Sequence, residues 1–449
     1  MTDTKTDIST SQEIKNLNFV VFDLETTGGH HQNDKIIEIG LVRITKLEQV
    51  EEKSFLIDPE IKIPEFIQKL TNIKTKDVKG AAKIEEVVDE ILEFMGSDIL
   101  IAHNTSFDVP FFNSVLRRLG REELKNPSIC TNLMTKYLIP NLLNSNLNYM
   151  SKIFNIKHQK AHRALDDARA TAELFVKYLK IFIQKDIQKL NHLYYPRNRY
   201  ELDSCHFKEK NQTNIESALK SLNELRTPAL ITLKGENGII LYCLPCVGHA
   251  DEIKFITDKL NTSEWMTASI KFFGPFLEAL IHFNGLFSKM ESSAKNSVIK
   301  LLWSIHLPKV NFPVKDQEDI PKLHKEEQLL GDFVITQHLV PEQLIILPIE
   351  SLNLKNQLIF RYPSHKKKLL QYINSKSQRL MNNKLKKTHY SPLVRLFIHN
   401  YLLKEHKKNH DLFFFKKKEP VQDPEQFCKN LEEFLVRSPN KLNYPADFI

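Results

Sequence analysis

Along the first ~180 residues, apolar positions fall into the two periods of regular structure. Asn18-Phe-Val-Val-Phe-Asp-Leu-Glu25, Ile36–Ile44 and Ser54–Ile57 predict three strands. Ile84–Met95 has helical spacing and stops at Gly96. Asp98–Ala102 predicts a short buried strand. Asp108–Leu119 predicts a helix with Pro110 in its first turn, Gly120 beyond its end, and an apolar face of Val109, Phe112, Leu116 and Leu119. Asp166–Leu179 predicts a last amphipathic helix. Strands, then strands alternating with helices, imply an α/β sheet domain.

The pattern sets the expected boundaries. Residues 1–16 are rich in Thr, Ser, Asp and Lys and read as a disordered tail, ahead of a domain at 17–183. Periodicity breaks over 184–200, around Tyr194-Tyr195-Pro196-Arg197-Asn198-Arg199, and this stretch is expected to be a linker. Beyond it, Leu230–Leu233 and Ile239–Leu244 flank Gly235-Glu-Asn-Gly238 and predict a hairpin among helical segments. The Pro- and charge-rich run Asn311–Pro321 is a candidate boundary between a region at 201–310 and a basic, mainly helical region at 311–449. No internal repeat of convincing period appears.

Composition is that of an ordinary soluble protein, with 41% hydrophobic and 26% charged residues. Five cysteines in 449 residues do not make a disulfide scaffold. The N-terminus lacks an apolar targeting core, and no apolar run approaches a membrane span, so the expected setting is the cytoplasm with no membrane partner. The net charge of +8 is unevenly placed. From Arg361 to Lys418 there are 16 Lys and Arg against 2 Asp and Glu, a local +14 that leaves the remainder at −6. Such a stretch suggests a polyanion partner.

Three segments carry candidate chemistry. Asp23-Leu24-Glu25 places two carboxylates on one face of a strand, where they repel unless a cation lies between them. Thr26-Thr27-Gly28 ends that strand with small residues, and Gly28 permits close backbone approach, as a phosphate or nucleotide would need. His103-Asn104-Thr105-Ser106-Phe107-Asp108 links a buried strand to a helix start, where Asp108 is either a helix cap or a site residue. His162-Arg163-Ala164-Leu165-Asp166-Asp167 precedes the last helix; Asp166 could cap it, and Asp167 could face the sheet. Hard oxygen donors without a Cys or His cluster suit Mg²⁺ or Mn²⁺.

Phe22-Asp23-Leu24-Glu25-Thr26-Thr27-Gly28, His103-Asn104-x-x-Phe107-Asp108 and His162-Arg163-Ala164-x-x-Asp167 resemble the three motifs of the DEDDh exonucleases. That family includes the proofreading epsilon subunit of bacterial DNA polymerase III. The resemblance implies a ribonuclease-H-like fold with a mixed sheet, two Mg²⁺ (or Mn²⁺) held by Asp23, Glu25, Asp108 and Asp167, and His162 as general base. It implies 3′→5′ hydrolysis to nucleoside 5′-monophosphates, with Thr26, Thr27, Gly28, Asn104 and Phe107 near the substrate. Asp166 is the rival ligand and is assigned a flanking role. Two departures stand out. Leu70-Thr71-Asn72-Ile73 occupies a loop where the family often has Gly, although Asn tolerates φ > 0; and Cys130-Thr131 replaces an Asp-Thr pair.

Farther on, Pro228 to Leu244 faintly resembles the opening hairpin of GIY-YIG nucleases of the UvrC type. Ile231 stands where that motif has a tyrosine, so such a fold here is expected to have no active site. Cys243-x-x-Cys246-x-x-His249 has spacing that permits Zn²⁺, but Cys243 lies in an apolar run typical of buried structural cysteine. In the basic stretch, Lys366, Lys367, Lys368, Lys386 and Lys387 are candidate phosphate contacts, with Tyr372, Tyr390, Phe397, Tyr401 and Phe413 to Phe415 as candidate base-stacking groups. The expected function is a DNA 3′→5′ exonuclease in repair or proofreading, acting on single-stranded DNA or 3′ ends, with a replication or repair protein as a possible partner. The alternatives are an RNA-processing exonuclease of the same family, or a repair adaptor with a vestigial nuclease.

Overall fold

A computed structural model describes residues 12–139, 141–158, 161–185, 187–190, 193, 202–313, 330–386, 388–408 and 411–437. The chain forms two compact units, one ending at Leu202 and one beginning at Asp203. No described helix is long and apolar enough to cross a membrane.

The first unit is built on a mixed five-stranded sheet in the order β3-β2-β1-β4-β5. The strands are β1 (Asn18–Thr26), β2 (Ile36–Thr45), β3 (Glu48–Leu56), β4 (Ile99–Ala102) and β5 (Ser128–Cys130). β1, β2 and β3 pair antiparallel, whereas β1–β4 and β4–β5 pair parallel. This is the ribonuclease-H-like arrangement implied by the motifs. Helices α1 (Glu65–Thr71), α2 (Thr75–Val78) and α3 (Ile84–Met95) lie between β3 and β4. They are followed by α4 (Thr105–Arg118), α5 (Thr131–Leu138), α6 (Leu147–Ile153) and α7 (Ala164–Gln184).

The pleat of β1 divides the unit. Val20, Phe22 and Leu24 face a core completed by Val88, Ile91 and Phe94 of α3 and by Phe111, Phe112 and Leu116 of α4. Phe19 and Val21 face the other way, where Phe19 meets Phe175 of α7 at a ring separation of 5.0 Å. Asp23 and Glu25 continue this second face towards the end of the strand. Register pairs Asp23 with Gly40 and Glu25 with Glu38. Gly40 therefore faces α7, and a Cβ there would lie 2.3 Å from the backbone of Ala164. The bare glycine lets the first turn of α7 rest against β2 beside Asp23.

Several expectations change. Residues 12–16 are ordered: Ile14 is fully buried and its N–H donates to the Gln188 carbonyl, so an apolar anchor on α7's C-terminal flank interrupts the expected tail. Residues 1–11 lie outside the described residues. β3 begins at Glu48, well before Ser54, because an edge strand with one solvated face needs little apolar sequence. Asp108 is not a helix cap. Helix α4 starts at Thr105 after Asn104, and Asp108 lies in its first turn, 4% exposed.

The second unit holds two antiparallel four-stranded sheets, in the orders β6-β9-β7-β8 and β12-β11-β10-β13. The expected hairpin is present as β7 (Ala229–Lys234) and β8 (Ile240–Cys246), flanked in the sheet by β9 (Thr267–Phe272) and β6 (Ser204–Lys208). The strands β10 (Phe333–Gln337), β11 (Gln343–Pro348), β12 (Leu358–Arg361) and β13 (Phe413–Phe415) form the other sheet. Segments on either side of residue 311 are joined: the Asn284 side-chain amide donates to the His389 carbonyl, and the Lys404 ammonium to the His306 carbonyl.

The close packing at Gly40 has a measurable consequence. Gly40→Ala is expected to destabilise the first unit by about 1–3 kcal/mol, the range for forcing atoms into a filled interior. A lowered denaturant midpoint at unchanged slope would report it; wild-type stability would show that α7 yields without strain.

Candidate active site

Asp23, Glu25, Asp108 and Asp167 come together from β1, α4 and α7. Their proximity is written in their protonation. Burial, then the charges of Asp108, Asp167 and Glu25, push the Asp23 carboxyl well above the usual carboxylate range. Burial, then Asp167, Glu38 and Asp108, raise Glu25 to about 8 despite the counter-charge of Arg163. Burial raises Asp108 to about 7, although its own N–H and that of Leu24 donate to its carboxylate. Desolvation and like charge act in the same direction here, and both are relieved by a cation.

Histidine chemistry sorts itself by hydrogen bonding. Ligand atoms of Glu25, His162 and Asp167 all lie within 4.8 Å of one another, the one such group among the described residues. The His162 ring therefore reaches the carboxylates, from a residue held at φ 65, in the left-handed region that non-glycine residues rarely adopt. His103 is fully engaged elsewhere: Nε2 donates to the Ser145 carbonyl at 2.8 Å, and Nδ1 lies 3.0 Å from the Thr131 hydroxyl. Burial holds its imidazole below the ordinary value, so it stays neutral and locks the start of α4 to α5. Thr131, part of the Cys130-Thr131 departure, belongs to this lock.

The flanking residues take distinct places. Asp166 pairs with Arg169, 3.3 Å away, which also forks onto Glu52; it stands apart from the metal-capable group. Thr26 donates to the Gly28 carbonyl, while Thr27 receives the Lys35 N–H and meets Asp34, so both hydroxyls serve the loop itself. A Cβ on Gly28 would lie 2.5 Å from the Asp34 carboxylate, which also accepts the His30 N–H. The close approach expected at Gly28 is thus made by Asp34, and no bound phosphate is needed to explain it. Asn104 is exposed at the head of α4, and Phe107 is half-buried with its ring 5.5 Å from that of Phe111. Asn72 adopts φ 56, the left-handed conformation that a glycine would otherwise supply.

Three supporting residues escaped the sequence reading. Glu38, 2% exposed, grips Arg163 through Nε and Nη2 and also accepts the Ala164 N–H at 2.9 Å. This clamp fixes the loop that carries His162. Its signal was present, since a lone carboxylate inside Ile36-Ile-Glu-Ile-Gly40 needs a partner. Gly40 provides room for the same turn. His158 lies 2.6 Å from Asp167 Oδ1, and nothing in its local sequence marks it.

In the second unit, Cys243 and Cys246 are fully buried, and His249 instead caps the helix Ala250–Thr262 by accepting the Asp251 N–H. Three residues apart on a strand, the two thiols point to opposite faces. The zinc spacing therefore assembles no site. Among the basic-stretch residues, Lys367, Lys368 and Lys386 are exposed and Lys366 half-exposed, while Lys387 lies outside the described residues. Most of the interleaved aromatics pack inward and are not available for stacking. Phe397, Tyr401 and Phe415 are buried, Phe413 packs on Phe427 and Phe434, and the Tyr390 hydroxyl donates to Leu352. Amphipathic spacing placed rings inward and lysines outward.

The family model described as Exonuclease matches residues 20–175. The PolC-type DNA polymerase III of Clostridium perfringens is 39% identical over 209 residues, 45% of this chain and 14% of its own length. The chain thus spans about one-seventh of that relative. Among solved structures, exonuclease X in complex with 5′-overhanging duplex DNA is 25% identical with a TM-score of 0.31, covering 37% of this chain and 93% of the other. The DNA polymerase III epsilon subunit of Aquifex aeolicus is 36% identical over 162 residues, which are 36% of this chain and 80% of that protein. With a short relative covered across most of its length and the motif residues gathered into one acidic cluster, the chain belongs to the DEDDh exonuclease family of the polymerase III epsilon subunit.

Proposed function

We propose that the protein is a divalent-metal-dependent 3′→5′ exonuclease that hydrolyses DNA from the 3′ end to nucleoside 5′-monophosphates in repair or proofreading. The observation that carries this reading is the convergence of Asp23, Glu25, Asp108, Asp167 and His162 from three distant chain segments. The donor set fits hard divalent ions: burial pushes the Asp23, Glu25 and Asp108 carboxyls above their usual range, and the metal-capable group among the described residues contains no cysteine. Asp23, Glu25, Asp108 and Asp167 would hold two Mg²⁺ or Mn²⁺. When bound, the ions would offset phosphate charge and lower the pKa of water. His162, through a ring nitrogen, would take the proton from the attacking water. Asn104, which is exposed, the half-buried Phe107 and the Thr26–Gly28 segment would contact the terminal nucleotide. The names of the relatives, polymerase III subunits, favour DNA as the substrate.

The second unit would add affinity for nucleic acid or for a replication or repair protein, with Lys366, Lys367, Lys368, Lys386 and Lys387 contacting phosphates. Matched 5′-labelled single-stranded DNA and RNA oligomers, with Mg²⁺ and with EDTA, test the reading. A ladder shortening from the 3′ end of DNA supports it; faster degradation of RNA would move the substrate, and no metal-dependent product would overturn it.

Removing the base should slow turnover without removing the site. His162→Ala is expected to lose ~10²–10⁴ in rate, the usual contribution of a positioned general base. A variant within a few-fold of wild type would assign the proton transfer elsewhere.

Burial, reinforced by like charge, makes a signed stability prediction. Glu25 and Asp108 have folded-state values raised above their unfolded ones, so the folded state keeps protons that the unfolded chain has lost. Metal-free stability should therefore fall as pH rises from about 5 to about 8, and added Mg²⁺ should restore more at the upper end. Asp108→Asn should abolish turnover yet raise the metal-free melting temperature at pH 8, by about 2–4 °C per kcal/mol of repulsion relieved. An inactive variant that melts lower than wild type would mean that the carboxylates are not in conflict.

Replacing the five lysines by alanine should weaken oligonucleotide binding and flatten its salt dependence. On a single strand the log–log slope should fall by about 0.7 for each phosphate that is no longer neutralised. Equal slopes for the two proteins would remove this stretch from the nucleic-acid interface.

A further inference from the structure

Asp167 is held from two sides. It sits in the first turn of α7, where its N–H donates to the Arg163 carbonyl. Its Oδ2 lies 3.4 Å from the His162 N–H, and its Oδ1 lies 2.6 Å from His158 Nε2. The His158 side chain is only 3% exposed. Its other ring nitrogen, Nδ1, is buried with no hydrogen-bond partner among the described residues. A histidine buried for packing would be expected to satisfy both nitrogens, since leaving one unpaired in the interior is unfavourable. This ring instead directs its one hydrogen bond at a carboxylate of the acidic cluster.

The segment that delivers His158 is firmly seated. Phe154 and Ile156 are buried, and the Phe154 ring stands edge-on to Tyr178 of α7 at 5.3 Å. The Ile156 N–H donates to the Ser151 carbonyl, and the Tyr178 hydroxyl bonds the Thr135 hydroxyl at 2.6 Å. The backbone leading to residue 158 is thus fastened to the middle of α7, while Asp167 rides on its first turn. One rigid helix sets the spacing between the imidazole and the carboxylate.

We propose that His158 is a positioning residue for Asp167: Nε2–H donates to Oδ1 and fixes the carboxylate's rotation, so that Asp167 would be held ready to bind a divalent ion. This rests on the reading of Asp167 as a metal ligand. Ligating groups depend on such outer hydrogen bonds for their orientation, and losing one commonly weakens metal affinity or activity by about 10–100-fold. His158 does not touch substrate or the reacting atoms in this role. It differs from His162, whose ring reaches Glu25 as well as Asp167.

The test compares three variants of the full chain with wild type. His158→Phe keeps a buried ring and deletes the donor; His158→Gln keeps a donor near the place of Nε2; Asp167→Asn tests the underlying reading. Mn²⁺ binding is measured by titration calorimetry, and the Mn²⁺ dependence of 3′-end hydrolysis on a single-stranded oligomer is followed in parallel. Melting curves in EDTA establish that each variant is folded. His158→Phe should bind Mn²⁺ about 10–100-fold more weakly and need correspondingly more metal for half-maximal rate, with its rate at saturating metal recovering. His158→Gln should regain most of the loss, which a purely structural role would not predict. Wild-type Mn²⁺ affinity in a folded His158→Phe, beside an inactive Asp167→Asn, overturns the positioning role alone. If His158→Phe does not fold, a folded His158→Gln with the full metal defect overturns it equally. Full activity and full Mn²⁺ affinity in Asp167→Asn would instead overturn the reading of the site.

Discussion

Repulsion among four half-buried or buried carboxylates is the constraint on which the rest of the first unit depends. Asp23, Glu25, Asp108 and Asp167 are gathered where water is scarce: burial first, and then the neighbouring carboxylates, raise Asp23 and Glu25. Nothing in the acidic set stabilises itself; the scaffold must hold it. A five-stranded sheet with a fully buried β1 core, packed on one face by α3 and α4 and on the other by α7, supplies that rigidity. The arrangement gives up stability at the site, as functional sites commonly do, and a divalent cation is the natural means of recovering it.

The same constraint explains the supporting residues. Asp167 can approach Asp23 only because Gly40, paired with Asp23 across the β1–β2 ladder, has no side chain in the path of α7. The loop bearing His162 holds its left-handed turn because Glu38 pins Arg163 and the Ala164 N–H. Asp34 builds the loop after β1 by filling the space beside Gly28 and bonding Thr27 and His30. His103 ties the head of α4 to α5 and thereby fixes Asp108. Each device acts on the acidic cluster or its loops through a few hydrogen bonds or a single missing Cβ.

What was legible in the sequence is what local periodicity controls. The two-residue spacing of Asp23 and Glu25 fixed their common face before any fold was known, and Ile84–Met95 is a helix with those limits. Asn72 was readable as a left-handed residue because few side chains tolerate that conformation. What was hidden depends on long-range contacts. Gly28 read as room for a ligand because its real neighbour, Asp34, comes near only through a loop. The aromatics of the basic stretch read as base-stacking groups because spacing alone cannot tell a core ring from an exposed one. The strands Phe333–Gln337 and Gln343–Pro348 carry apolar runs buried on both faces, which periodicity does not separate from helix. The likeness of the second unit's hairpin to GIY-YIG nucleases still rests on sequence register, since the matched family model ends at residue 175.

The central claim is that the acidic cluster is a divalent-cation site kept partly protonated when empty of metal. Titration calorimetry of Mn²⁺ into the metal-free protein at pH 7, repeated in buffers of different ionisation enthalpy, measures proton exchange on binding directly. With Glu25 raised to about 8 and Asp108 to about 7, the account predicts that ion binding releases protons and that affinity rises with pH up to about 8. Binding without proton release, at an affinity unchanged between pH 6 and pH 8, would contradict it.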